Sequence, residues 1–438
     1  MSQWFDTLTL WLSAHPEWLG LAIFLLACGE CLAIVGILVP GTVLLFAVAA
    51  LAGNGALGLG ETLLLAFCGG LLGDCLSYAL GRYFHQDIGR LPVLRNHPQW
   101  LNSAHGYFVR YGVASLLVGR FIGPLRPMLP MVAGMFDMPF VRFFSVSLLA
   151  GVGWSIAYML PGWATGAALR LPLPEGFWPQ AGAIAAGVAL VVGISVQGSL
   201  RGQRHSSLLT AAASLTLLIG LMLSWPHLSQ LDQGLLTLVQ EHRSAALDTL
   251  MVLITRLGDM RTQLAAAVLL CLILLATRQW RTLCLAIGSL LGTALANGAL
   301  KAFFARSRPD VLLEPLNSFS FPSGHSSAAF AFFLLLGVLA GRGQPTRMRL
   351  TWLLLASLPA TAIAGSRIYL GVHWPSDIIA GAMLAACFCA LSLALVQWRT
   401  PLPALSGKVW WLLLPTIIAL LGGITTWQLS AGVLLYRY

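Results

Sequence analysis

The sequence predicts an all-α protein that crosses a membrane many times. Three observations carry that prediction. Of 438 residues, 58% are hydrophobic and 9% are charged, against about 25% charged in a soluble domain. Apolar runs long enough for a hydrocarbon core of about 30 Å recur along the chain. Most basic residues sit at the ends of those runs. A soluble enzyme of this length has no means of hiding so much apolar surface. A disordered chain and a nucleic-acid binder are excluded on the same ground. The formal net charge of +10, from 25 Lys+Arg against 15 Asp+Glu, is assigned to topology and anionic lipid.

The elements follow in order. The first apolar stretch, 18–53, breaks at Val39-Pro40-Gly41. Each half is too short to span, which predicts a re-entrant hairpin, tolerated only where protein or a water-filled cavity satisfies the freed backbone. A spanning helix is expected near 61–82. A second broken stretch, 113–137, is interrupted by Gly123-Pro124-Leu125-Arg126-Pro127 and predicts a second hairpin. Further spans are expected near 140–161, 180–200, 206–225, 262–277, 281–303, 326–341, 350–369, 376–397 and 409–427. Pro172, Pro174 and Pro179 close the first unit. The expected organisation is a membrane domain over 1–175, a connecting helix and linker over 176–205, and a second membrane domain over 206–438.

Loop charge sets the orientation. Arg201/Arg204, Arg278/Arg281, Arg342/Arg347/Arg349 and Arg399/Lys408 lie in short loops without acids. These loops are expected on the cytoplasmic side. The alternating loops 226–261, 304–325 and 370–376 then face outward. Counted backwards, Arg82, Arg90, Arg95 and Arg142 fall inside. The first hairpin opens outward and the second inward, the logic of an inverted repeat. The eight cysteines lie in or beside apolar segments and read as small packing residues. The first residues show no basic region of the kind that opens a cleavable signal.

Three blocks after residue 300 carry chemistry: Lys301-x6-Arg308-Pro309, Pro322-Ser323-Gly324-His325 and Ser366-Arg367-x5-His373-x3-Asp377. The loop-charge topology puts all three on the outer side. Lys301, Arg308 and Arg367 supply one point charge and two guanidinium forks for phosphate oxygens. Ser323 and Gly324 precede a helix, whose N-terminal N–H groups suit an anion. His373 and Asp377, four apart, share a helical face, so the carboxylate can fix the imidazole tautomer for attack on phosphorus. His325 is placed to protonate a leaving oxygen. With no carboxylate cluster for a metal, the cations are expected to take that role, and no cofactor is expected.

These blocks resemble the signature of the type 2 phosphatidic acid phosphatase superfamily, over roughly 206–438. The resemblance implies a six-helix bundle, His373 as nucleophile through a phosphohistidine, Asp377 as its partner and His325 as acid. It also implies Lys301, Arg308, Ser323, Gly324 and Arg367 as phosphate binders.

In the first unit Glu30 lies inside an apolar stretch ahead of Pro40-Gly41. Asp74, Tyr78, Gly81 and Arg82 follow, then Arg120 and Arg126-Pro127. Intramembrane Glu and Arg point to function, with a structural Glu30–Arg brace as the other reading. Asp74 and Arg82 read as a pair or cap at the membrane face. The pattern resembles the DedA (VTT-domain) family over roughly 15–170, which implies lipid translocation through Glu30, Arg120 and Arg126. The acid that often follows Pro-Gly in that family is Thr42 here, so proton coupling either falls to Glu30 alone or is weak.

Together these readings lead to a multi-pass protein of a bacterial inner membrane. Its phosphatase site is expected to face the periplasm and to hydrolyse undecaprenyl pyrophosphate to undecaprenyl phosphate. Its DedA-like unit would return that product to the inner leaflet. Phosphatidic acid or phosphatidylglycerol phosphate is the alternative substrate, and a chiefly lipid-transporting protein the alternative function. The expected partners are membrane lipid phosphates and not nucleic acid.

Overall fold

The computed structural model describes residues 11–33, 35–38, 41–84, 98–112, 114–120, 126–171, 173–200, 205–314, 316 and 318–437. Val39-Pro40, Gly123-Pro124-Leu125, Arg90, Arg95, Pro172, Arg201 and Arg204, all used in the sequence reading, lie outside the described residues. Among the described residues every regular element is helical, and eight helices are long and apolar enough to cross a membrane. The chain forms two compact units, Met1–Pro172 and Leu173–Tyr438.

In the first unit, α1 (Leu19–Cys31), α2 (Val35–Leu38) and α3 (Gly41–Leu51) build the first broken stretch. They hold 13, 4 and 11 residues, so none crosses a bilayer alone, which takes about 20 residues. The long helix α4 (Leu59–Phe84) follows, then α5 (Pro98–Tyr111), α6 (Ala114–Gly119), α7 (Met128–Met135) and α8 (Phe140–Arg170). The second break again leaves short helices, of 6 and 8 residues. The span expected near 140–161 continues to Arg170 through Pro161.

Small residues set the packing. A methyl group on Gly73 would lie 2.4 Å from the Cys28 carbonyl oxygen, and one on Gly81 1.9 Å from the Met131 carbonyl oxygen. Helix α4 therefore lets α1 and α7 approach backbone to backbone, the device by which helices associate without a hydrophobic drive in lipid. The ends of both broken stretches are thus brought onto one central helix.

In the second unit, α9 (Phe177–Leu200) and α10 (Ser206–Ser224) lead to α11 (Ser229–Glu241) and α12 (Ala245–Leu257). The chain bends by 42° into α13 (Met260–Ala276). Then come α14 (Trp280–Phe304), α15 (Gly324–Ala340), α16 (Thr346–Tyr369), α17 (Pro375–Val396), α18 (Gly407–Trp427) and α19 (Leu429–Leu435). Helix α17 is the axis of the unit, with 61% of its most apolar window buried. Helices α10, α14 and α15 pack directly on it, α16 packs on α15, α13 on α14 and α15, α9 on α10 and α18 on α13. The stretch expected as an outward loop, 226–261, holds α11 and α12. Helix α11 is amphipathic, with Leu231, Gly234 and Leu238 buried on one face, so an apolar-run count passes over it.

The two ends of this unit differ. Arg281, at the start of α14, donates to the carbonyls of Val396 (2.7 Å) and Pro401 (3.1 Å), and Arg342 donates to Gln397 Oε1 at 3.0 Å. Lys301 is at the far end of the same helix, about 30 Å away at 1.5 Å per residue. The described basic loops, those of Arg281, Arg342 and Arg399, thus gather at one end and the three motif blocks at the other.

Candidate active site

His373 sits on the short loop between α16 and α17, and Asp377 on the first turn of α17. The i, i+4 spacing brings His373 Nδ1 to 3.3 Å from Asp377 Oδ2. The Trp374 N–H donates to the same oxygen at 3.0 Å, closing the helix cap, and Ser320 Oγ donates to it as well. Across the ring, Arg308 Nη1 donates to His373 Nε2 at 3.0 Å. A guanidinium can only donate, so Nε2 carries the lone pair and the proton is on Nδ1, facing Asp377. Nε2 is therefore the nitrogen that presents a lone pair.

Burial, then the positive charges of Arg308, Arg367 and Lys301, hold the His373 pKa well below the ordinary imidazole range. The ring is neutral near pH 7. Arg308 is itself pushed down to about 10, by burial and then by Arg367. Crowded cations on loop and helix ends make a site that an anion relaxes.

Arg308 is held by the Ser318 carbonyl (2.7 Å), Ser318 Oγ (2.8 Å) and the Val372 carbonyl (2.6 Å). No carboxylate neutralises it among the described residues. Lys301 Nζ donates to the carbonyls of Phe319 and Ser320. Buried Arg367 donates to Thr255 Oγ1 at 3.0 Å and to Tyr436 Oη at 2.8 Å. Its Nε has no hydrogen-bond partner among the described residues.

His325, on the first turn of α15, lies with Nε2 at 2.8 Å from Asp259 Oδ1, and Asp259 Oδ2 accepts from Arg256 at 2.6 Å. With Nε2 turned to Asp259, Nδ1 is the nitrogen left to pass a proton. Ser323 departs from expectation. Its backbone N–H donates to the Asp377 carbonyl at 2.9 Å, and its hydroxyl accepts from Ser326 N (3.4 Å) and Ser326 Oγ (3.0 Å). The Asp377 carbonyl takes the N–H and the N-cap role occupies the hydroxyl oxygen, so the hydroxyl proton is what Ser323 has left to give. A methyl on Gly324 would come 3.6 Å from Lys301 Cε, which sets Gly324 beside that cation. A cavity of about 710 Å³ opens beside Lys301 and Arg308, walled by Pro309, Leu312, Leu316 and Phe319.

Several residues at this end escaped the sequence reading. Arg306, Ser320, Asp259 and Tyr436 each touch a motif residue directly, and Asp232 reaches Asp377 through Arg306. Arg306 was legible only as an extra cation within the Lys301-x6-Arg308 spacing. Asp232 had one signal, an acid at a position its helix buries.

The first unit has its own cluster. Arg126 Nη1 donates to Glu30 Oε1 at 2.9 Å, and Thr42 Oγ1 to the same oxygen at 3.2 Å. Arg120 pairs with Asp74. The pairing expected between Asp74 and Arg82 is replaced, because the α4 face bearing Asp74 turns inward to Arg120. Arg82 instead donates to Tyr78 Oη at 3.0 Å. Cys31 Sγ lies 3.1 Å from Arg126 Nη2 and 3.7 Å from Arg120 Nη2, and Arg126 stacks 4.1 Å over the Trp154 ring. Glu30 Oε2 and the Nε atoms of Arg120 and Arg126 have no hydrogen-bond partner among the described residues.

Fold and clusters define a polytopic, all-helical membrane protein of two units, each with a buried charged site. Comparison with known proteins gives the families. The VTT domain matches residues 39–164 and the PAP2 superfamily matches residues 282–401. The chain belongs to the VTT-domain (DedA) family through its first unit, and its second unit carries the PAP2 superfamily match.

Among its relatives, Inner membrane protein YabI of Escherichia coli K12 is 38% identical over 152 residues, 35% of this chain and 60% of that protein. Inner membrane protein YqjA of the same organism is 30% identical over 175 residues, 36% of this chain and 74% of that protein. A PAP2 type phosphatidylglycerolphosphate phosphatase from Bacillus subtilis, known as a crystal structure, superposes with a TM-score of 0.40 at 23% identity. It covers 43% of this chain and 97% of its own.

Proposed function

We propose that the chain is a membrane lipid phosphatase that uses a phosphohistidine and no metal. Its site would face outward, its preferred substrate would be undecaprenyl pyrophosphate, and its first unit would be a lipid translocase. The observation that carries the phosphatase reading is the arrangement at His373. Nδ1–H is held by Asp377, the Nε2 lone pair is presented to Arg308, and Lys301 and Arg367 stand at the same end of the unit.

The chemistry then runs in two steps. Arg308, Lys301 and Arg367 bind the terminal phosphate, and Arg308 leaves Nε2 for a phosphate oxygen. Nε2 attacks phosphorus and the bond to the bridging oxygen breaks. His325 gives that oxygen a proton while Asp377 stabilises the charge growing on the His373 ring. Water, its proton taken by His325, then attacks phosphorus and frees Nε2 and inorganic phosphate. The three cations supply the charge stabilisation a metal would otherwise give.

The described basic loops, those of Arg281, Arg342 and Arg399, lie at the opposite end of the unit from the site, which supports an outward orientation by the positive-inside rule. Fusion to a DedA-family unit supports a substrate whose product must return across the bilayer, which favours the polyprenyl diphosphate. The test is phosphate release by the purified full chain in detergent from undecaprenyl pyrophosphate, phosphatidic acid and phosphatidylglycerol phosphate, with and without EDTA. The expected result is a preference for the diphosphate, no loss with EDTA and inhibition by vanadate, a mimic of the trigonal-bipyramidal transition state. Preference for phosphatidic acid would overturn the substrate assignment. Strict dependence on Mg²⁺ would overturn the role given to the cations.

A further inference from the structure

We propose that Asp232 and Arg306 are positioning residues for the phosphoryl transfer, a buried relay that keeps Asp377 ionised and turned toward His373. The inference rests on His373 being the nucleophile. Arg306 Nη1 donates to Asp377 Oδ1 at 2.7 Å and to Ser376 Oγ at 2.8 Å. Arg306 Nη2 donates to Asp232 Oδ2 at 2.7 Å. Asp232 completes the circuit, since its Oδ1 accepts from the Ser376 N–H at 2.9 Å and its Oδ2 from Ser376 Oγ at 2.7 Å. The guanidinium is walled by the rings of Trp225 and Trp374, at 4.9 and 5.5 Å. Asp232, Ser376 and Asp377 are all fully buried.

This geometry separates Arg306 from the three cations assigned to phosphate. Both of its terminal nitrogens are committed to carboxylates, whereas Arg308 holds neutral oxygens and a ring nitrogen. The two oxygens of Asp377 are divided in the same way. Oδ1 belongs to Arg306, while Oδ2 faces His373, Ser320 and the Trp374 N–H. A carboxylate pinned on one oxygen cannot rotate the other away from the imidazole.

The charges facing Asp377 are few. Arg306 comes from the end of α14, Asp232 from α11 and His373 from the preceding loop, while Lys301 and Arg308 act at longer range. His325, on α15, is turned to Asp259. Without Arg306, Asp377 and Asp232 are two buried acids on either side of Ser376, and like charges in such a site favour protonation of one. A protonated Asp377 is a poor acceptor for the Nδ1–H of a charged ring.

The experiment uses the full chain in detergent with farnesyl diphosphate as a water-soluble probe, reading kcat, KM and the pH profile. Arg306→Gln should lower kcat by about tenfold or more at pH 7, leave KM within about threefold, and move the acid limb of kcat/KM up by roughly one pH unit. Asp232→Asn removes a negative charge from the relay, so its acid limb should lie no higher than wild type. Arg306→Lys should recover part of the lost kcat.

A raised KM with unchanged kcat would make Arg306 a phosphate ligand and overturn the proposal. So would uniform losses across pH in both Arg306→Gln and Asp232→Asn that track a lower thermal midpoint, the signature of a brace. A wild-type chain inert toward the probe, or an active His373→Ala variant, would instead remove the phosphohistidine reading and this inference with it.

Discussion

Nε2 of His373 has no substitute within reach of the arrangement described. His373→Ala should therefore abolish phosphate release while the protein still accumulates in the membrane, as phosphate assay and immunoblot together would show. Asp377→Asn should slow turnover without always ending it, because it loses charge but keeps an oxygen toward the ring. The depressed pKa of His373 has a sign that can be checked. Its neutral, attacking form persists as pH falls through the ordinary imidazole value of about 6.5. The acid-side half-point of kcat/KM should lie below that value, and a half-point above it would mean that the ring is not held neutral by its cationic neighbours. The motif residues were legible because each block is a short local spacing. Asp232 and Ser376 are 144 positions apart, and no local pattern announces a pair so distant. The same holds for Tyr436, which reaches Arg367 from 69 positions away.

At the scale of elements, helix positions followed from apolar runs because a bilayer leaves little choice of secondary structure. What escaped were elements the bilayer does not dictate. Helix α11 is amphipathic and α12 is short, so neither makes a continuous apolar run. In the first unit, the contact between α4 and α7 depends on Gly81, and it gives a direct test. A methyl there meets backbone 1.9 Å away, whereas one on Gly60, in the same helix, meets nothing within 4 Å. Gly81→Ala should lower the midpoint of thermal aggregation, by an overpacking cost of about 1–3 kcal/mol, and Gly60→Ala should not. Equal midpoints would show that the seam yields. The Glu30–Arg126 pair joins the two broken stretches at a contact that sequence spacing did not reveal, since its partners are 96 positions apart.

For the molecule as a whole, the question is whether the buried charges of the first unit carry lipid or only hold it together. Glu30→Gln and Arg126→Ala should keep detergent phosphatase activity near wild type. In vesicles they should lose movement of undecaprenyl phosphate between leaflets. If both variants lose phosphatase activity in step with thermal stability, the pair is a brace. If transfer persists at the wild-type rate, the translocase assignment fails. Two buried guanidiniums beside two buried carboxylates form a set close to neutral, which is what a low-dielectric interior requires when no anion is bound.

The separation of motif blocks from basic loops along α14 also has an electrical consequence. On the mechanism proposed, headgroup entry, phosphoryl transfer and phosphate departure all take place at one end of the second unit, so no ion travels the length of α14 during turnover. Moving one elementary charge across a bilayer costs about 2.3 kcal/mol per 100 mV, and hydrolysis incurs none of that work. Phosphate release in sealed vesicles should be the same with and without an imposed diffusion potential. Return of an anionic lipid through the first unit, by contrast, should speed up or slow down with the sign of that potential unless a proton or cation moves with it.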